Sequence, residues 1–228
     1  MYKQILKKFL DILISLLLII IFFPVLLIVG ISIKIDSKGP IFFKQDRVGK
    51  GLSIITLCKF RTMTHEERAV SDKPLIGKAP GVTGVGYFLR RYKIDELPQL
   101  FSVLKGDLSL VGPRPSIREH LKNMTEEEKQ RYSVKPGLTG LAQVSGNIHI
   151  SWKERYRHDL IYVNNISFLN DLKILLRTAR LIVIGEDKFK NNPLYVSKVV
   201  AKLKDGLLKH ICSVAPKKGL AQNTVYNQ

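Results

Sequence analysis

No charged side chain occurs between residues 12 and 33, which read ILISLLLIIIFFPVLLIVGISI. A helix needs about 20 consecutive apolar residues to cross a bilayer, so this segment is long enough to enter one. A signal peptide fits less well, because the apolar run is long and no cleavage site of small residues follows it. The segment therefore predicts a membrane-embedded helix.

Two features argue against a helix that crosses the membrane. Pro24 lies near the middle of the segment, where a proline removes an amide donor and costs about 3 kcal/mol. Basic residues flank both ends: Lys3, Lys7 and Lys8 before it, and Lys34, Lys38, Lys44 and Arg47 after it. Because positive flanks stay on the cytoplasmic side, residues 1–36 are predicted to form a re-entrant helix kinked at Pro24. A proline-kinked spanning helix is the alternative.

Composition limits the class of partner. The 228 residues suit one ordinary domain, and 37 basic against 19 acidic residues give a net charge of +18. This charge favours nucleic acid, an anionic membrane surface or a phosphorylated substrate. Cys58 and Cys212 are too few and too far apart for a disulfide framework, which indicates a reducing, cytosol-facing body. The five histidines form no metal-binding motif.

Two short apolar runs at residues 41–44 and 53–60, with glycines between them, predict a small hairpin. Lys59 and Arg61 bracket Phe60 at its end, and strand alternation places both basic side chains on one face. There they either hold an anion or guard an exposed strand edge. Residues 64–80 are predicted to be a loop, and residues 83–92 a short helix.

An acidic pair, Asp95-Glu96, precedes an apolar helical stripe made of Leu97, Leu100, Phe101 and Leu104. Asp95 is predicted at the N-cap, Pro98 in the permissive first turn and Gly106 at the stop. The pair is therefore either a helix cap or a reactive carboxylate surrounded by positive charge. The amides at the start of the helix are expected to keep Asp95 ionised.

Two further stretches follow the acidic pair. In SLVGPRP, residues 109–115, Arg114 lies between two prolines, and a stiffened guanidinium suits a two-point grip on phosphate. An ordinary proline-rich turn is the alternative. In VKPGLTGLAQVSG, residues 134–146, the glycines can expose backbone amides to an anion, although the stretch matches no phosphate-binding motif.

Residues 151–185 predict two helices separated near residues 164–167. Leu172, Leu175, Leu176 and Ala179 line one face of the second helix, and that face either lies in anionic headgroups or packs into the core. Residues 188–228 form a basic extension with a weak helical stripe over residues 200–211, followed by a tail predicted to be mobile. The predicted fold is α+β, mainly helical with a small β-hairpin, and residues 37–187 form its catalytic body.

Four blocks, KFRTM, IDELPQLFSVLKGDLSLVGPRP, VKPGLTGLAQVSG and NNISFLNDLKIL, occur in the order found in bacterial sugar transferases. Over about residues 5–185 the chain resembles the small monotopic polyprenol-phosphate phosphoglycosyl transferases. The resemblance implies transfer of a sugar phosphate from a UDP-sugar, N-acetylated by the family's habit, to undecaprenyl phosphate, with release of UMP. It implies Mg²⁺ as cofactor and a location on the cytoplasmic face of the bacterial inner membrane. A nucleic-acid partner is not expected, because the sequence contains no recognisable nucleic-acid-binding module and carries a membrane segment.

The resemblance also implies roles for individual residues. The Asp-Glu dyad of the family maps onto Asp95, the expected nucleophile of a covalent phosphosugar intermediate, and Glu96, the expected Mg²⁺ ligand. The central proline of its re-entrant helix maps onto Pro24. The candidate phosphate and substrate ligands are Lys59, Arg61, Arg90, Pro113, Arg114, Gly137, Thr139 and Gln143. Direct attack by the lipid phosphate and a non-catalytic basic membrane protein are the competing hypotheses.

The chain departs from the family pattern at two positions. Phe23 precedes the central proline, where the family often has a small hydroxyl residue. Asn147 stands where the family commonly has an arginine, which removes one expected contact to a substrate phosphate.

Overall fold

The computed structural model describes residues 2–64 and 80–184. Residues 65–79 of the loop predicted over residues 64–80, and the basic extension, therefore lie outside the described residues. The α-helices are α1 (Lys7–Asp36), α2 (Gly84–Arg91), α3 (Gln99–Lys105), α4 (Glu126–Lys129), α5 (Leu141–Val144), α6 (Trp152–Asn164) and α7 (Phe168–Ile184). The strands are β1 (Phe42–Val48), β2 (Ile54–Phe60), β3 (Ser109–Val111) and β4 (Gly137–Thr139). This mainly helical α+β architecture confirms the predicted class.

Helix α1 is long and apolar enough, by length and composition, to cross a membrane. Pro24 lies inside this one helical element and not between two helices. One face of α1 packs on the body. Ile19 joins the main core, a cluster of buried residues that includes Leu57, Leu100 and Leu110. Val29 and Ile33 join a second cluster with Phe60. The opposite face exposes large apolar side chains, among them Phe9, Leu13, Leu17, Ile20, Phe23, Leu27, Ile28 and Ile31.

The first turns of α1 are tied to the body by polar contacts. Asp11 accepts a hydrogen bond from the Ser109 hydroxyl (2.7 Å) and another from the Leu110 amide (3.1 Å). Lys7 forms an ion pair with Asp171, 2.5 Å between Nζ and Oδ2. Because Asp171 belongs to α7, the start of α1 is held against the last described helix.

The end of α1 is tied to the same body through Arg61. This guanidinium is 2 % exposed and donates to the carbonyls of Ile33 (3.3 Å), Ser37 (2.7 Å) and Lys38. Cations at a helix C-terminus satisfy the last carbonyls and match the helix dipole. The structure therefore corrects the expectation that Arg61 shares an anion-binding face with Lys59: Arg61 caps α1.

The predicted hairpin is confirmed, with a longer first strand. β1 and β2 pair antiparallel from Phe42 opposite Phe60 to Val48 opposite Ile54. The rings of Phe42 and Phe60 stack with centroids 5.4 Å apart. Helix α2 is also confirmed, and Thr83 caps it by accepting a hydrogen bond from the Gly86 amide at 2.9 Å.

β3 and β4 form a short parallel pair in which Ser109 lies opposite Gly137. A Cβ atom on Gly137 would lie 2.0 Å from the Gly112 nitrogen, so only glycine permits this backbone approach. The Gly137 amide donates to the Pro113 carbonyl at 2.9 Å. This amide is therefore committed to the backbone, which corrects the expectation that Gly137 offers it to a phosphate.

The two predicted C-terminal helices are confirmed as α6 and α7, but the packed face of α7 differs from the predicted stripe. Its buried residues are Asp171, Ile174 and Leu181. Of the predicted stripe, Leu175 packs against the main core, whereas Leu172 and Leu176 are 40 % and 63 % exposed. Helix α7 therefore packs against the core with one face and leaves another, apolar face exposed.

Candidate active site

A tight turn presents the acidic pair between α2 and α3. Lys93 adopts a left-handed conformation (φ 57°), and residues Ile94–Glu96 then form one 3₁₀ turn. Helix α3 begins after Pro98 and ends at Gly106 in a left-handed conformation (φ 92°), as predicted. The prediction of Asp95 as the helix N-cap is wrong, because Pro98 occupies the N-cap of α3.

Glu96 is held by two cations from distant parts of the chain. Its Oε1 atom accepts from Lys59 Nζ at 2.6 Å and from Arg114 Nη2 at 2.7 Å, and its Oε2 lies 3.4 Å from Arg114 Nη1. Burial alone would raise the pKa of Glu96, but the charges of Arg114 and Lys59 outweigh it and hold that pKa well below its usual range. Glu96 is thus ionised at neutral pH and anchors two cations.

Asp95 is in the opposite situation. It is 9 % exposed, and its Oδ1 atom has no hydrogen-bond partner within the part of the chain that the structure describes. Burial and, secondarily, the charge of Glu96 raise the pKa of Asp95 to about 6, despite the opposing charges of Lys59, Lys93 and Arg90. The helix amides were expected to favour the ionised form of Asp95, but burial has the larger effect and raises its pKa.

The two carboxylates can thus do different work. Glu96 is bound by two cations, whereas Asp95 keeps one buried oxygen that has no partner among the described residues and lies near positive charge. An oxygen of this kind is poised to form a bond with an electrophilic phosphorus once the carboxyl is ionised. With a pKa of about 6, Asp95 is mostly ionised at neutral pH and more basic than an ordinary aspartate.

Arg114 is positioned by a buried ion pair behind it. Arg131 Nη2 donates to the Arg114 carbonyl at 2.7 Å and to Asp159 Oδ2 at 2.6 Å. Arg131 and Asp159 have side chains only 3 % and 1 % exposed. The Arg131 guanidinium also lies 5.1 Å from the ring centres of Tyr132 and Tyr156. This pair fixes the backbone from which Arg114 reaches Glu96.

An apolar cavity of about 680 Å³ opens beside the dyad. Leu18 and Phe22 of α1 form part of its wall, and Glu96 and Arg114 lie at its polar side. Most of its other lining residues are apolar, among them Leu100 of α3, Val144 of α5 and Leu175, Ala179, Leu181 and Ile182 of α7. The cavity therefore connects the apolar N-terminal helix with the charged dyad.

The other predicted ligands divide between this site and the scaffold. Arg90 lies close enough to Asp95 to lower its pKa, and its Nη1 is buried with no partner among residues 2–64 and 80–184. Thr139 and Gln143 line the cavity; the Thr139 hydroxyl lies 2.7 Å from that of Thr178. Both polar atoms of the Gln143 amide are buried without a partner in the described chain. Pro113 acts through its carbonyl, which accepts from the Gly137 amide.

Asn147, the residue at the second departure, also lines the cavity. It begins the 3₁₀ turn Asn147–His149 in a left-handed conformation (φ 44°), which asparagine tolerates better than most residues. Its side chain therefore belongs to the site, although it brings no positive charge.

The donor set limits how a metal ion can bind. No group of three or more His, Cys, Asp or Glu side chains that could hold a metal occurs among the described residues. Mg²⁺ commonly takes one or two carboxylates and completes its shell with water and substrate phosphates. Glu96 is engaged by Lys59 and Arg114, and Asp95 Oδ1 is the unpartnered oxygen. Because Asp95 Oδ1 is the candidate nucleophile, a Mg²⁺ ion would be held by Glu96 in place of Lys59 or Arg114 and would draw most of its ligands from a phosphorylated substrate.

Three residues of the site were not predicted. Arg47 of β1 is near enough to Arg114 and Glu96 to feel their charges, and burial, followed by the Arg114 charge, lowers its pKa to about 10. Arg131 and Asp159 support Arg114 from behind. The only sequence signal for Arg47 is its place beside a glycine turn. The Arg131–Asp159 pair gives no sequence signal, because its two residues lie 28 positions apart.

The bacterial sugar transferase family model matches residues 2–185. The sugar transferase EpsL of Bacillus subtilis, whose own function is uncharacterized, is 42% identical over 80% of this chain and 90% of its own length. A Caulobacter vibrioides protein named UDP-glucose:undecaprenyl-phosphate glucose-1-phosphate transferase is 39% identical over 80% of this chain and 72% of its own. An Aeromonas hydrophila protein named UDP-N-acetylgalactosamine-undecaprenyl-phosphate N-acetylgalactosaminephosphotransferase is 37% identical, and the match spans 78% of this chain and 44% of that protein.

Proposed function

Since the chain belongs to the bacterial sugar transferase family, we propose that it transfers a sugar-1-phosphate from a UDP-sugar to undecaprenyl phosphate and releases UMP. The observation that carries this proposal is the asymmetric dyad beside an apolar cavity. One carboxylate is neutralised by cations, and the other is buried with an oxygen that has no partner in the described part of the chain. The relatives are named for glucose and for N-acetylgalactosamine. An N-acetylated sugar is therefore one donor to test among several.

In the first proposed step, Asp95 Oδ1 attacks the phosphorus that bears the sugar. The new oxygen–phosphorus bond replaces the bond between the two phosphates of the donor, and UMP leaves with that electron pair. Asp95 must be ionised to attack, which its pKa of about 6 allows at neutral pH. Glu96 is excluded as the nucleophile because Lys59 and Arg114 occupy its oxygens.

In the second proposed step, an oxygen of undecaprenyl phosphate attacks the same phosphorus. The bond to Asp95 breaks, the carboxylate is regenerated, and undecaprenyl diphosphate-sugar is formed. No proton or electron is needed from another reactant in either step. Each step brings an anion towards an anion, so the surrounding positive charge has to offset their repulsion.

The cations at the site answer this need. Arg114 presents a planar fork, and Lys59 and Arg90 add further positive charge near the dyad. When Mg²⁺ is bound with the donor, it supplies further neutralisation of the diphosphate charge. Arg131 and Asp159 hold the Arg114 backbone so that its fork faces the reacting phosphate.

The cavity suits the acceptor lipid. Its walls are largely apolar and include Leu18 and Phe22 from α1, while Arg114 and Glu96 stand at one side. A polyprenyl chain would lie among the apolar side chains with its phosphate at the dyad. The Gln143 amide, which has no partner in the described chain, is available there for polar groups of the substrates. Thr139 lines the same cavity, although its hydroxyl is bonded to that of Thr178.

The contacts of α1 support a re-entrant position in the membrane, with the body on the cytoplasmic face. Lys7 and Asp11 bind the body near one end of the helix, and Arg61 binds the carbonyls at the other. A straight helix that crosses the bilayer would place its two ends on opposite membrane surfaces, about 30 Å apart. Both ends can meet one cytoplasmic body only if both stay on its side.

The test of the reaction is release of UMP by the purified full chain across a panel of UDP-sugars, with and without undecaprenyl phosphate. We expect continuous turnover with lipid and one donor sugar, and loss of turnover when EDTA removes Mg²⁺. No UMP with any UDP-sugar in the presence of the lipid would refute the proposed function.

The test of the two-step course is intact mass spectrometry of the chain mixed with donor alone. We expect the mass to increase by one phosphosugar and the adduct to disappear when undecaprenyl phosphate is added. Normal turnover with no adduct at any time would instead favour direct attack by the lipid phosphate.

A further inference from the structure

A second cavity of about 790 Å³ lies away from the dyad. It is formed by the start of α1, the end of α3, β3 and the segment before β4. The dyad precedes α3, whereas Lys105 and Gly106 at the far end of that helix line this second cavity. The two sites are therefore separated by the length of α3.

Positive charge dominates the lining of the second cavity. Among the described residues, five lysines line it, Lys7, Lys8, Lys50, Lys105 and Lys135, against one acid, Asp11. Asp11 already accepts hydrogen bonds from Ser109 and Leu110.

Only part of this positive charge is neutralised. Lys7 pairs with Asp171 and Lys105 pairs with Asp107. For the other three lysines, Lys8, Lys50 and Lys135, the described chain provides no ion pair. The cavity thus concentrates unneutralised positive charge in one place.

The same cavity adjoins the exposed apolar face of α1. Ile12 lines it and is 39 % exposed, and the neighbouring Phe9 and Leu13 are 59 % and 50 % exposed. Lysines next to an exposed apolar helix match the two parts of a lipid: a charged headgroup and acyl chains. A soluble anion would need the lysines but not the apolar neighbours.

We propose that this cavity binds the phosphate headgroup of an anionic glycerophospholipid, whose acyl chains lie along the exposed face of α1. The inference rests on the membrane position given under the proposed function. Lys8, Lys50 and Lys135 bind the headgroup phosphate, and the bound lipid holds the start of α1 at the depth of the headgroups. This site is distinct from the acceptor cavity and takes no part in the chemical steps.

The experiment is native mass spectrometry of the full chain in detergent with phosphatidylglycerol, phosphatidylcholine or inorganic phosphate. We expect retention of phosphatidylglycerol in preference to phosphatidylcholine. A basic residue near an anionic lipid surface is worth about fivefold in binding. The variant K8Q/K50Q/K135Q should therefore weaken phosphatidylglycerol binding by about a hundredfold.

The control variant K44Q/K122Q/K153Q removes the same charge at exposed lysines that do not line the cavity. It should bind phosphatidylglycerol like the wild type. An equal loss in the control would show that net charge alone attracts the lipid, and equal retention of phosphatidylcholine would overturn the headgroup preference. Displacement of the lipid by inorganic phosphate would identify a free anion as the ligand.

UMP release in detergent separates this inference from the proposed function. The K8Q/K50Q/K135Q variant should release UMP at the wild-type rate while its lipid binding falls, which also shows that it is folded. If the wild type releases no UMP, the proposed function fails, but the comparison of the two triple variants still decides the lipid site.

Discussion

Two buried aspartates, Asp95 in front of α3 and Asp159 within α6, stand in contrasting surroundings. Burial raises the pKa of both carboxyls, and in both residues Oδ1 has no hydrogen-bond partner among the described residues. Asp159 Oδ2, however, accepts two hydrogen bonds from Arg131, at 2.9 and 2.6 Å. None of the ion pairs among residues 2–64 and 80–184 includes Asp95.

The contrast separates a carboxylate used for structure from one used for chemistry. A buried carboxylate without a cation is unfavourable for folding, so its presence beside a cavity points to a role that folding does not require. The ion pair with Arg131 offsets the cost of burying Asp159, and Arg131 in turn supports the Arg114 backbone. The same substitution, Asp to Asn, should therefore have opposite effects at the two positions.

Asp95→Asn should produce the largest loss of activity. Without an anionic nucleophile, UMP release is expected to fall by about 10⁴-fold or more. The folded protein should be as stable as the wild type or more stable, by about 1–3 kcal/mol at neutral pH, because a buried charge without a partner is removed. UMP release and thermal unfolding measured on the same sample check both parts. A variant that keeps its activity would remove Asp95 as the nucleophile.

Asp159→Asn should lower the stability that Asp95→Asn preserves or increases. It leaves Arg131 buried without its counter-ion, and breaking a buried pair in this way costs about 3–5 kcal/mol. Chemical denaturation should show that loss. Asp107→Asn is the matched control, because Asp107 pairs with Lys105, whose side chain is 77 % exposed, and such pairs are worth about 1 kcal/mol or less. Equal stabilities for the two variants would contradict the structural role of Asp159.

Arg114→Lys tests the connection between the two regions. Lysine keeps the charge but loses the fork that contacts both oxygens of Glu96 and is proposed to grip phosphate. We expect turnover to fall by about 10–100-fold, the effect of losing one charge-assisted hydrogen bond, with little change in stability. Steady-state rates and unfolding curves provide the measurement. Wild-type kinetics would exclude a role for the fork.

The features that were predictable from the sequence are local. The hairpin, the Thr83-capped helix α2, the stop at Gly106 and the break between α6 and α7 each depend on neighbouring residues. The acidic pair and Arg114 were found from their local surroundings as well. The ion pair between Glu96 and Arg114 is not predictable in this way, because it depends on how α3 and β3 pack.

The wrong assignments have the same origin. Arg61 and Lys59 look equivalent in sequence, yet one binds the carbonyls at the end of α1 and the other binds Glu96. Gly137 looks like part of an anion-binding loop, but its amide is taken by Pro113. In each case an acceptor from a distant segment takes the hydrogen bond, and a single sequence does not reveal which segment packs there.

The pH dependence of the first step is the smallest expected effect and tests the pKa of Asp95 itself. The donor-only rate of adduct formation should rise about tenfold between pH 5 and pH 7, as a carboxyl with a pKa of about 6 becomes ionised. Stability should move in the opposite direction. Because folding raises this pKa, the folded state binds the proton more tightly, and the contribution of Asp95 to stability falls as pH rises from about 4 to about 6.

Asp95→Asn isolates this contribution, since the difference in unfolding free energy between variant and wild type should grow over that pH interval and then level off. Asp107→Asn should show no such rise. A rate that is already maximal at pH 5, together with a flat stability difference, would mean that the carboxylate is stabilised in the folded protein. The contrast between Asp95 and Asp159 would then fail at its physical basis, because both aspartates would have compensated charges.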